Sequence, residues 1–227
     1  MKLTSLSLIL LAAVCLAACV PAPTLRNDQY LKDDSLISGQ PCAAPCWRGI
    51  TPGQTSWAAA LTILEDDTSI SNIESIQPDP NLPARIVDFN DAQGGTRCCR
   101  MFSSDGETVS SVLTLLAPNL TVGQIIEEFG EPTYYVGEGV TDDQALVSML
   151  YPDVPLIIYG FAPGVSTGQL SATSEVIGAI YLTSEDMQTI ITQNNLYAWR
   201  GYGPLSSLLD GAFDITPIPT SEATPEN

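Results

Sequence analysis

The sequence predicts an α+β fold, two repeats of a short helix packed on antiparallel sheet. Three observations predict it. Short apolar segments are separated by turn residues and lack long crossover helices between them, which favours antiparallel pairing. Two stretches open with helix-capping residues followed by an apolar stripe. Those stretches also echo each other, Thr51-Pro52-Gly53-Gln54 matching Thr121-Val122-Gly123-Gln124 seventy residues on.

The N-terminus reads as an export signal. Lys2 is the only charge before residue 26, and Leu3 to Ala18 is rich in Leu and Ala. This run is short of the ~20 residues of a membrane-spanning helix and suits the apolar core of a leader. It ends Leu16-Ala17-Ala18-Cys19, which looks like a bacterial lipobox, whose cysteine is lipidated and becomes the new N-terminus. Cys15 is a poorer candidate, because Val14 is β-branched where a small side chain is wanted. Residues 1–18 are therefore read as the signal peptide, Cys19 as the lipidation site, and 19–40 as a proline-extended, mostly polar tether.

The first repeat is assigned to 41–118. Thr55 or Ser56 caps a helix with Trp57, Leu61 and Leu64 on one face, and strands follow over 84–91, 96–102 and 110–117. The second is assigned to 119–183. Thr121 and Gln124 have capping-box spacing, Val122, Ile125, Ile126 and Phe129 form the stripe, and Gly130 and Pro132 end the helix. Strands follow over 133–139, 145–152, 156–162 and 175–183. A helical cap is expected over 184–213 and a disordered, proline-broken acidic tail over 214–227.

Composition excludes more than it assigns. The 227 residues carry Lys+Arg 8 against Asp+Glu 26, a net charge of −18, and no histidine. Such a chain lacks the basic footprint for nucleic acid or anionic lipid. Without histidine it has neither a serine triad's base nor a His-based zinc site. No phosphate loop or dinucleotide glycine pattern occurs, and no cofactor or metal is expected.

Cys42, Cys46, Cys98 and Cys99 are even in number in an exported chain and read as disulfides. Pro45 lets Cys42 and Cys46 approach, and a vicinal Cys98–Cys99 bond is possible. Bonds between the 42/46 and 98/99 segments are preferred, with one of Cys98 and Cys99 facing the core and the other the surface. A four-thiolate zinc site is the alternative, although adjacent cysteines chelate awkwardly. Acidic clusters at Glu65-Asp66-Asp67, Glu127-Glu128 and Asp142-Asp143 read as structural, without a calcium-loop pattern. Tyr197, Trp199, Arg200 and Tyr202 form a possible interaction surface, or else the packing face of the C-terminal cap.

The order of glycine, capped helix, terminal "FGEP" and strands carrying "LYPDVPLIIYGF" resembles the BamE/SmpA family of small outer-membrane-assembly lipoproteins. It is also similar to the tandem-repeat β-lactamase inhibitor proteins. The resemblance spans residue 48 to about 183 and implies binding without catalysis. The expectation is a non-enzymatic binding or envelope-scaffold module, lipid-anchored to a cell or outer membrane on its extracytoplasmic side. Its partner would be a protein or glycan of the envelope, and the anchor its sole membrane contact. The alternatives are a carboxylate-based hydrolase of envelope glycans and an inhibitor of an envelope enzyme.

Overall fold

The computed structural model describes residues 29–141, 144–164 and 168–206. The expected leader, Cys19, the start of the expected tether, Asp142-Asp143 and the expected tail from 214 lie outside them. The described chain is α+β, with four helices and one large antiparallel sheet.

The helices are α1 (Ser35–Ser38), α2 (Trp57–Asp66), α3 (Val122–Phe129) and α4 (Ser184–Gln193). Three have side-chain caps. Ser56 accepts from the Ala59 amide at 3.3 Å, and Thr183 from the Asp186 amide at 3.0 Å. Thr121 and Gln124 form the capping box that their spacing predicts. Gly130, at φ 78°, ends α3 in a conformation that a Cβ would strain. The helix starts do not follow the seventy-residue echo, however. Thr51 lies in a turn five residues before the Ser56 cap, whereas Thr121 is itself a cap.

The main strands are β1 (Ile70–Ile76), β2 (Arg85–Asp91), β3 (Cys99–Ser103), β4 (Ser111–Thr121), β5 (Tyr134–Thr141), β6 (Gln144–Tyr151), β7 (Leu156–Pro163) and β9 (Glu175–Leu182). Shorter ones are β8 (Gln169–Leu170), β10 (Tyr197–Ala198) and β11 (Gly203–Pro204). Nine strands pair in the order β1-β2-β3-β4-β9-β7-β6-β5-β10, and β8 pairs with β11 separately. The centre of the large sheet is the β4–β9 seam. There a Cβ on Gly178 would stand 2.8 Å from the Thr114 carbonyl oxygen, so the seam admits no side chain at that point.

Antiparallel register aligns residues into rows across the sheet, and alternate rows face opposite sides. One row runs Phe89, Cys99, Thr114, Ala179, Ile158, Met149, Tyr135, Tyr197. Every member is buried. This face carries the larger core, in which Trp57, Ala60 and Leu64 of α2, Val122 and Ile125 of α3, and Leu31, Leu36, Trp47 and Ile50 of the N-terminal segment cover the sheet.

The neighbouring row faces the other way: Glu74, Asp88, Arg100, Leu113, Ile180, Ile157, Leu150, Tyr134. It is charged at the β1–β3 end and apolar at the β5–β9 end. Met187 of α4 and Leu196 close a second core over Tyr134, Leu150, Ile157 and Leu182. Among the described residues the sheet is thus covered on both faces in one half and on one face in the other.

The structure departs from the sequence expectations at the tether and at the cysteines. Residues 29–40 do not behave as tether, because Leu31 is fully buried, bridges to Leu116 of β4 and packs with Leu36 in the core. The polar residues around these leucines hide their apolar content. The disulfides are local, Cys42–Cys46 and Cys98–Cys99, and do not join the two segments. Cys98 and Cys99 are each 2 % exposed, so neither faces the surface. With all four sulfurs paired, no thiolate remains for zinc.

Candidate functional site

The open half of the second face is the candidate site. Strands β2, β3 and β4 present Ile86, Phe102 and Leu113 there, all half-buried. Ile86 and Phe102 are direct cross-strand partners. None of the three packs into either core. They are apolar residues at alternate strand positions, and among the described residues no element covers them.

A charged clamp stands beside them. Asp88 is 1 % exposed. Its Oδ1 accepts from Arg100 Nε at 2.7 Å and its Oδ2 from Arg100 Nη2 at 2.9 Å, a bidentate pair. Arg97 Nη1 adds a contact to Oδ2 at 3.0 Å, and Arg97 Nη2 reaches Glu74 at 2.8 Å. Hydrogen bonds from Arg100 hold Asp88 below the usual carboxylate range against the opposing effect of burial, and the charges of Arg100 and Arg97 add to this. Both guanidiniums remain about half exposed, with side-chain exposures of 46 % and 55 %. The surface therefore offers donors from arginine next to an apolar strip, the chemistry of an interface anchor region. Nothing local in the sequence marks Asp88, Arg97 and Arg100 as a set, because only the strand register brings them together.

The N-terminal segment is locked on the opposite face. Asp33 accepts from the Ser35 amide at 2.8 Å, Trp47 Nε1 at 2.7 Å and Arg48 Nε at 3.2 Å. Arg48 also pairs with Asp67, and its guanidinium lies 5.2 Å from the Trp47 ring centroid. Burial alone would raise Asp67, but hydrogen bonds from Ser69 and Arg48 bring it below its ordinary value. This network occupies part of the Glu65-Asp66-Asp67 cluster with a structural ion pair. An open cavity of about 510 Å³ lies against it, and another of about 580 Å³ lies between α2 and the end of β1, lined by Trp57, Ile76, Pro83 and Arg85.

The aromatic set expected as an interaction surface is mostly packing. Tyr197, 9 % exposed, pairs with Tyr135 in β10–β5 and stacks on it at 5.6 Å. Trp199 is half-buried and edge-on to Tyr135 at 5.9 Å. Only Arg200 and Tyr202 are exposed. The segment covers the sheet edge, which blunts the unpaired side of β5.

Among the described residues no helix is long and apolar enough to cross a membrane. No protein family, curated protein or solved structure matches the chain.

Proposed function

We propose that the protein is a bacterial lipoprotein, anchored through Cys19, that acts as a non-enzymatic binding or scaffold module of the cell envelope. Its contact surface is the open β2–β4 half of the sheet, facing a protein or glycan partner outside the membrane. The observation that carries this reading is the unequal cover of one face: among the described residues α4 closes the β5–β9 half, while Ile86, Phe102 and Leu113 lie half-buried, outside both cores, beside Arg97 and Arg100. Contiguous apolar surface rimmed by charge marks interaction sites.

The strand order supports a two-copy reading and the likeness to BamE/SmpA. Helix α2 precedes β1-β2-β3-β4, helix α3 precedes β5-β6-β7-β9, and the two meanders meet through their last strands. The hydrolase alternative needs an acid with a raised pKa. Among the described residues the carboxylates with a resolved shift, Asp67, Asp88 and Asp105, are all lowered, which favours binding.

The test is recovery of partners by the lipidated full chain from membranes of cells that make it, compared with Phe102→Asp. Losing an apolar anchor at an interface centre costs about 2 kcal/mol, roughly thirtyfold in affinity. Partners lost with Phe102→Asp while circular dichroism is unchanged bear the reading out; equal recovery by both forms overturns it.

A further inference from the structure

A second site lies at the other end of the sheet, under the opposite face. The C-terminal end of α3, the last residue of β6 and the β10–β11 connection meet there. Phe129 packs on Tyr151 with ring centroids 5.9 Å apart. Trp199 stands edge-on to Tyr202 at 6.0 Å. The Tyr151 hydroxyl and the Trp199 indole Nε1 are closed off from solvent, and neither has a hydrogen-bond partner among the described residues. Tyr151 as a whole is only 4 % exposed. Orphaned polar atoms are uncommon in native interiors, because each loses its hydration without a replacement.

Both orphans neighbour one exposed ring. Tyr202 is 44 % exposed and lies between Gly201, at φ 90°, and Gly203. A glycine at positive φ lets the backbone turn there at little steric cost. Burial raises the Tyr202 phenol, and the carboxylates of Glu127 and Glu131 push it further up, which places both acids in its surroundings. Burial likewise raises Tyr151, with Tyr202 adding to it, so its hydroxyl stays neutral and able to donate.

The chemistry of the set selects the ligand. An indole N–H only donates, and a neutral phenol donates readily. Carboxylates only accept, and they repel anions. An anion is therefore excluded, and a simple cation would leave both donors unanswered; the occupant has acceptors on one side, donors on the other and an apolar face for the rings. A sugar residue has all three. A proline-rich peptide has carbonyl acceptors but no proline N–H for the glutamates.

We propose that Tyr202 swings aside and that Tyr151, Trp199 and Phe129, with Glu127 and Glu131, bind a neutral sugar residue. Trp199 and Tyr151 donate to its oxygens, the two glutamates accept from its hydroxyls, and the rings cover its C–H face. The site shares no residue with the open half of the sheet, so either proposal can fail without the other.

The experiment titrates the full chain with cellotriose, chitotriose and maltotriose, read by tryptophan fluorescence and calorimetry. Saturable binding of at least one trisaccharide is expected. Trp199→Phe and Tyr151→Phe keep the rings and remove the donors, and each weakens binding about tenfold. Glu127→Ala with Glu131→Ala, both at exposed positions that leave the fold intact, weakens it several-fold. The proposal is overturned if none of the three sugars binds, or if binding is unchanged in these variants. Binding of a Thr-Pro-Ile-Pro-Thr peptide in place of the sugars overturns the ligand class.

Discussion

Leu150 and Leu113 make the unequal cover of the sheet measurable. They lie in the same row on the same face, separated by Ile180 and Ile157. Leu150 is 1 % exposed and packs in the core that α4 closes. Leu113 is half-buried and packs in neither core. Truncating Leu150 to alanine removes about three carbons' worth of burial and leaves a cavity under a helix that cannot collapse into it. Such changes cost roughly 3–5 kcal/mol. Truncating Leu113 opens no enclosed cavity and removes only partly buried surface, so its cost is about 1 kcal/mol. The assay is urea unfolding at neutral pH with the disulfides intact, comparing midpoints at equal slope. Equal costs, or a larger one for Leu113→Ala, would refute the reasoning that one half of this face is covered and the other open.

Three further outcomes follow from the same structure. Tryptic digestion without reduction should release residues 33–48 with both Cys42 and Cys46, and residues 98–100 with both Cys98 and Cys99; a mass joining the two peptides would contradict local pairing. These bonds close loops of separation 4 and 1, so reduction should cost only about 1–2 kcal/mol per bond in the chain-entropy account, against about 4 for a loop of fifty residues. Because Asp88 is held below its unfolded pKa, it contributes stability that is full above about pH 4 and lost as pH falls through its folded value. Asp88→Asn should therefore lower stability at pH 7 by about 1–2 kcal/mol, discounted for the half-exposed arginines, and flatten the acid limb of a stability-versus-pH curve; an unchanged limb would count against the clamp.

The strands were legible wherever both neighbours lie along the chain and the apolar content is high, as at Arg85–Asp91 and Leu156–Pro163. The capping box at Thr121 was legible because it is a local interaction. Strand β1 was not, because "ISNIESI" is an edge strand with polar exposed positions and a bulge at Asn72, φ 52°. The N-terminal segment is not legible as core, because its burial rests on two leucines and on the Asp33–Trp47–Arg48 contacts, which span up to fifteen residues. Disulfide partners could not be chosen from spacing, since all three pairings were open. The open face itself was invisible in the sequence. It depends on where α4 docks, and α4's apolar stripe says only that it docks somewhere.

The most direct measurement is site-specific photocrosslinking in living cells that make the full chain. A photoreactive phenylalanine at position 102 should yield covalent adducts with an envelope partner, while the same group at Gln188, exposed on α4, should yield none. Adducts from position 188 without any from position 102 would contradict the account.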